Sequence, residues 1–201
     1  MVFKSQLCNK GTALAGPQQQ QRGGRALAPA MAHPARNASA ASILNPSRTF
    51  FVTTKTAMRK RLLQSERNAE LLVDVLRSLV AERKFKLLDF VVMPDHVHLL
   101  IEVAGDMTIE KAMQFVKGRF SHRLSHEFGF IGEVWQRGFT EEQVMNQQSL
   151  EAHRAYIGEN PVRAGLARSA EEYPFSFRYL ARKKKEVGKE DGQGLKPHQF
   201  Y

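Results

Sequence analysis

The chain has 201 residues, enough for one domain with a real core plus tails. Lysine and arginine number 30 against 20 aspartates and glutamates, and the whole excess of +10 falls before the first acidic residue, Glu66. A basic third of this kind marks either a polyanion binder or an unstructured basic arm. One cysteine, Cys8, excludes a disulfide framework and a cysteine-based zinc site within one chain, and no run of about 18 apolar residues is present to cross a membrane.

In chain order, residues 1–45 are rich in Gln, Ala, Gly and Pro and have little to bury, so they read as a disordered basic extension or an over-long start. The ordered domain is expected over 46–181, with a charged flexible tail over 182–201. Thr49–Thr54 is aromatic and β-branched, a strand signal. Gln64–Glu82 carries Leu71, Leu72, Val75, Leu76, Leu79 and Val80 at helical spacing, with Ser65 placed to cap it. Lys86–Met93 and His96–Val103 read as two strands joined by a Pro94-Asp95 turn. Thr108 opens a helix over Ile109–Phe128, which Gly129 stops. Thr140–Met145 reads as a short strand, and Ser149–Gly158 as a third helix ended by Gly158 and Asn160-Pro161. The first six elements follow the β-α-β-β-α-β order of ferredoxin-like folds. That predicts an α+β domain with a four-stranded antiparallel sheet and two helices on one face. The third strand would be central, its histidines looking out from the open face.

The chemistry-bearing stretch is Val91–Val103, VVMPDHVHLLIEV. Side chains alternate along a strand, so His96 and His98 share a face, ~7 Å apart along the strand. Two imidazoles so placed can close on one metal ion, or can be hydrogen-bonded core histidines. On the third helix, Tyr156 and Asn160 stand four residues apart and share a face. Tyr156 reads as a nucleophile or as an aromatic anchor for its helix. Asn160 offers a hard oxygen, and two imidazoles with one amide oxygen suit Mg²⁺ or Mn²⁺. His122 and His126 form a rival pair, read more simply as a solvated helix face.

Four stretches in this order resemble the HUH-type single-tyrosine transposases, most closely the REP-associated tyrosine transposases. They are FFVTT at 50–54, VVMPDHVHLLIE at 91–102, MQFVKGRFSHR at 113–123, and VWQRGF at 134–139 followed by AYIGENPVRAGLA at 155–167. The resemblance covers about 46–180. It implies a nuclease fold acting on single-stranded or hairpin DNA in the bacterial cytoplasm, near the nucleoid, as a monomer or a homodimer. Carried over by position, His96, His98 and Asn160 become ligands of Mg²⁺ or Mn²⁺. Tyr156 becomes the nucleophile, giving a 5′-phosphotyrosine and a free 3′-hydroxyl. Lys55, Arg59, Lys60, Arg61, Lys117, Arg119, Arg123, Arg137 and Arg163 are the expected backbone contacts, and Trp135 or Phe139 is placed to stack on an unpaired base, with core packing the other reading of Trp135.

Two departures stand out. Where the family often carries a histidine after the Trp-Gln segment, this chain has Thr140, Glu141 and Glu142. Gly158 replaces a usually larger residue and is expected to loosen the tyrosine helix. Both features would also fit a catalytically silent binder of DNA hairpins, the alternative reading.

Overall fold

A computed structural model describes residues 47–190 of the chain. The extension assigned to 1–45 lies outside the described residues, as does 191–201. The elements are β1 (Ser47–Lys55), α1 (Glu66–Ala81), β2 (Lys86–Met93), β3 (His96–Ala104), α2 (Ile109–Phe128), β4 (Thr140–Val144), α3 (Gln147–Arg163) and α4 (Phe177–Glu190). Two short 3-10 turns, Ala57–Arg59 and Leu62–Gln64, link β1 to α1.

The four strands form one sheet in the order β2-β3-β1-β4, every neighbouring pair antiparallel. The expected α+β architecture is therefore present, with β1 and β3 at the centre. Alternation along β1 sends Phe50 and Val52 to one face and Phe51 and Thr53 to the other. On β3 it sends Val97, Leu99 and Ile101 to the first face, where α1 and α2 pack. Those helices bring Leu72, Leu76 and Leu79 from α1 and Met113, Val116 and Phe120 from α2, all fully buried. Each such side chain contributes ~1.5–3 kcal/mol of burial free energy.

Capping follows the sequence in part. Thr108 accepts from the Lys111 amide, and Gly129 closes α2 at φ 65°, a left-handed conformation that favours glycine. Ser65 stands at the start of α1 without a side-chain cap; its carbonyl accepts from Asn68 and Ala69 instead.

Two expectations are corrected. The second face of the sheet is not open. Helix α3 lies across it, and Ile157 packs with Val91, Met93, Leu100 and Tyr173. Helix α3 also continues through Pro161 to Arg163. Proline there removes one backbone donor, but its fixed φ remains helical, so the last turn persists. The charged tail expected from Arg182 has a helical start, since α4 runs to Glu190.

Candidate active site

The Pro94-Asp95 turn delivers His96 as the first residue of β3. His96 and His98 then face α3 while Val97 enters the opposite core. The two rings meet edge to face, centroids 4.8 Å apart at 81°. Each has its Nδ1 tied back. The His96 nitrogen lies 2.6 Å from Asp95 Oδ1, and the His98 nitrogen lies 2.8 Å from Thr53 Oγ1 across the β1–β3 pair. Fixing Nδ1 turns the other side of each ring toward the site, the arrangement that orients imidazoles for a metal.

His98 is only 4% exposed. Burial pushes its pKa down to about 4, helped by the nearby charges of His96 and Lys55 and opposed by a hydrogen bond with the Asn160 side chain. His98 is therefore a neutral ring with a lone pair to give at ordinary pH. Burial works to raise the Asp95 carboxyl, but the His96 ring and the Arg59 guanidinium hold it below the usual range.

Helix α3 supplies the other half. Asn146 caps it through a bond from the Ser149 amide. Persistence of the helix past Pro161 keeps Tyr156 and Asn160 aligned. The Asn160 Nδ2 donates to the Tyr156 carbonyl at 2.6 Å, and the same side chain acts on His98, favouring its charged form. The Tyr156 ring stands edge-on to His98, centroids 5.3 Å apart, and edge-on to Phe51 at 5.8 Å. It keeps 40% exposure, so its hydroxyl can meet a macromolecular substrate. The Arg163 guanidinium lies 6.0 Å from the centre of the same ring. Tyr173 is no rival. Its hydroxyl is bonded to the Val92 carbonyl at 2.8 Å, and burial pushes its pKa up to about 12.

Among the described residues no cluster of three or more His, Cys, Asp or Glu is assembled that could hold a metal ion. The donor set on offer is thus two neutral-capable imidazoles and one carboxamide, which fits a divalent cation that keeps oxygen ligands of its own. His122 and His126 stack face to face, 6.0 Å apart, on exposed α2 and have no third ligand of those types.

The basic residues divide into two groups. Lys55 is paired with His96 in the strand register and lies on the histidine face. Arg59 bonds Asp95 Oδ2 at 2.8 Å, and Lys60 and Arg61 follow it exposed. Met58 and Arg59 both have positive φ, 52° and 53°, a strained conformation for non-glycine residues beside the dyad. Arg137 is exposed. The second group is engaged elsewhere. Arg119 binds Glu82 and Ser78, and Arg123 binds Asp74 and Glu127, so both clip α2 to α1 or to itself on the opposite layer. Lys117 donates to the carbonyls of Gln136 and Gly138, at 2.9 and 2.8 Å. Trp135 takes the core alternative, not the base-stacking one. It is 8% exposed, donates its indole N–H to the Lys117 carbonyl and packs on Phe120, so it presents no face to a base.

Sequence reasoning missed Thr53, Phe51, His153 and Arg178. Thr53 could have been found from the register that sets β1 against β3. His153 precedes Tyr156 by three residues, a same-face spacing. It stacks on Phe51 at 4.5 Å and faces Glu142 at 3.5 Å, so an imidazole from α3 stands beside the strand position that lacks one. Gly158 is buried against Arg178 rather than loose.

Comparison with known proteins places this geometry in a family. A sequence model described as "Transposase IS200 like" matches residues 49–160, from β1 to Asn160. The chain is 26% identical over 128 residues to a REP-associated tyrosine transposase of Escherichia coli K12, covering 63% of this chain and 73% of that one. It is 27% identical over 102 residues to a putative REP-associated tyrosine transposase of Haemophilus influenzae, covering 46% of this chain and 58% of that one. The fold is similar to that of a REP-associated tyrosine transposase solved with a REP hairpin bound, with a TM-score of 0.55, 24% identity, and coverage of 77% and 84% of the two chains. With more than half its length matched, this chain belongs to the IS200-like transposase family.

Proposed function

We propose that this chain nicks single-stranded DNA beside hairpin-forming repeats and transfers strands through a covalent tyrosine link. The observation that carries the reading is the packing of Tyr156 edge-on to His98, with Asn160, one turn on, bonded to the tyrosine's carbonyl. The hairpin preference is inferred from the REP-hairpin complex of the similar structure.

The Tyr156 oxygen attacks the scissile phosphorus as its proton passes to solvent. The phosphorus–O3′ bond breaks, and the departing 3′-oxygen takes up a proton. The products are a 5′-phosphotyrosine and a free 3′-hydroxyl. A second 3′-hydroxyl then attacks the phosphotyrosine and displaces the tyrosine oxygen, so one bond replaces another with no external energy source. The Arg163 guanidinium stands over the Tyr156 ring, 6.0 Å from its centre, where it can meet the charge of a phosphate brought to the tyrosine. Lys55, on the histidine face, faces a phosphate placed at the dyad. Arg59, Lys60 and Arg61 extend a positive track for the DNA backbone. His96, His98 and Asn160 would hold Mg²⁺ or Mn²⁺, which when bound supplies Lewis-acid polarisation of the phosphate.

The test is covalent trapping. Full-length protein is mixed with labelled hairpin DNA bearing a single-stranded flank and Mn²⁺, then run on a denaturing gel. A shifted band that disappears in Tyr156→Phe and with chelator is expected. Hairpin binding without any band would overturn the nicking step.

A further inference from the structure

Gly158 lies two residues beyond Tyr156, on the buried side of α3. A Cβ atom built there would stand 2.5 Å from Arg178 Cζ, 2.8 Å from Nη2 and 2.9 Å from Nε. The absent side chain is therefore a notch, and a guanidinium from α4 fills it. Within the notch Arg178 Nη2 donates to the Arg154 carbonyl of α3 at 3.1 Å. Its Nη1 lies 3.8 Å from Glu171 Oε1. On β2, Asp89 is 4% exposed, its Oδ1 already bonded to the Phe90 amide, and the charges of both Arg178 and Arg154 act on it.

Arg178 is itself firmly based. The segment before α4 lies along β2. Tyr173 bonds the Val92 carbonyl, the Phe175 carbonyl accepts from the Val92 amide, and Ser176 bridges to Val91. The arginine thus fixes the roof helix to the frame of the sheet at a point within one turn of the phenol. Geometric precision of this order matters, because a misplacement of ~1 Å at a reacting group lowers rates about 100-fold.

We propose that Arg178, seated in the Gly158 notch, is a positioning residue that sets the angle at which α3 presents Tyr156 to the histidine pair. This rests on the reading of Tyr156 as the nucleophile. The glycine is then a fitted part, and the expectation that it loosens the helix is reversed.

The test uses full-length Gly158→Ala, Arg178→Ala, Arg178→Lys and the Gly158→Ala/Arg178→Ala double variant. Single-turnover adduct formation on a labelled hairpin is measured beside hairpin affinity. Tyr156 itself is followed by ¹⁹F NMR of 3-fluorotyrosine protein, its resonance assigned by its loss in Tyr156→Phe. Both alanine single variants should form the adduct roughly tenfold or more slowly. Hairpin affinity should hold within about twofold, and the Tyr156 resonance should move or broaden. Gly158→Ala should add no further loss once Arg178 is already alanine, because the notch is then empty. Arg178→Lys keeps the charge over Asp89 without the flat fork, so it should not restore the rate.

Equal effects of Gly158→Ala in the two backgrounds, full rescue by lysine, or an unmoved Tyr156 resonance would each overturn the proposal. If the parent protein forms no adduct, the nicking reading fails, and the fluorine resonance alone decides whether Arg178 positions Tyr156.

Discussion

Thr53 Oγ1 lies 2.8 Å from His98 Nδ1, the two residues being direct partners across the central β1–β3 pair. The hydroxyl fixes the rotation of a buried ring whose other side faces Asn160. Thr53→Val keeps the shape and the β-branched character of the strand but removes that bond. Mn²⁺ affinity by calorimetry should fall ~10–100-fold, the range for losing an outer partner of a ligand histidine. The melting temperature should change little.

His98 and Asp89 titrate against each other. Burial lowers His98 to about 4, so the stability tied to its neutral form is present above ~6.5 and is lost as pH falls through about 4. Burial raises Asp89 to about 6, with its bond to Phe90 and the charges of Arg178 and Arg154 opposing, so the stability tied to its protonated form is present below the unfolded value of 3.8 and is lost as pH rises through about 6. Each effect is on the order of 3 kcal/mol, and they run in opposite directions over nearly the same window. Urea unfolding of metal-free protein should therefore show little net slope from this pair between about pH 4 and 6.5. Asp89→Asn should expose a rise in stability with pH, and His98→Asn a fall.

Trp135 belongs to the core, so its removal should appear in stability and not in DNA recognition. Trp135→Ala should cost ~3–5 kcal/mol in denaturant unfolding. Trp135→Phe should keep most of the packing on Phe120 and lose only the bond to the Lys117 carbonyl. Hairpin affinity of the folded Phe variant should match that of the parent.

The basic residues should separate by salt dependence. Lys55→Ala, Lys60→Ala and Arg61→Ala should each lower the slope of log affinity against log salt by about 1. Arg119→Ala and Arg123→Ala should leave that slope unchanged, because those guanidinium groups are bonded to Glu82 and Asp74 between the outer helices. Exposed ion pairs of that type contribute only ~0–1 kcal/mol, so these variants should also stay folded.

Asn160 has two jobs at the end of α3, a bond to the Tyr156 carbonyl and, as proposed, an oxygen beside His98 for the metal. Asn160→Ala should slow adduct formation at limiting Mn²⁺, with partial recovery at higher Mn²⁺. Recovery to the parent rate would mean that its backbone bond does nothing to hold the tyrosine.

The fold was readable because its signals are local and periodic. The short, nearly continuous apolar run of Lys86–Met93 and the helical spacing in Ile109–Phe128 each gave their element to the residue. The dyad was readable because alternation alone puts His96 and His98 on one face. The reach of α3 past Pro161 was not readable, since local preference before proline argues against it and tertiary packing overrides that preference. Which basic residues remain available could not be seen either. Arg119 and Arg123 differ from Lys60 and Arg61 in having Glu82 and Asp74 brought beside them from a stretch distant in sequence, with Glu127 of the same helix also on Arg123. Arg178 and Gly158 were invisible as a pair for the same reason, twenty positions apart on different helices.

The sheet separates two kinds of interior. Toward α1 and α2 it meets a continuous apolar layer, while toward α3 a smaller apolar cluster gives way to rings, amides and buried charge. The two sides share a backbone but few side-chain neighbours. Substitutions in the first layer are felt as loss of folded protein, and those around Tyr156 in the second as loss of aim as well. Such a partition lets a lineage exchange its outer helices, and their ion pairs, while the tyrosine stays trained on the same two histidines. It also lets an engineer harden the first layer to heat without retuning the second.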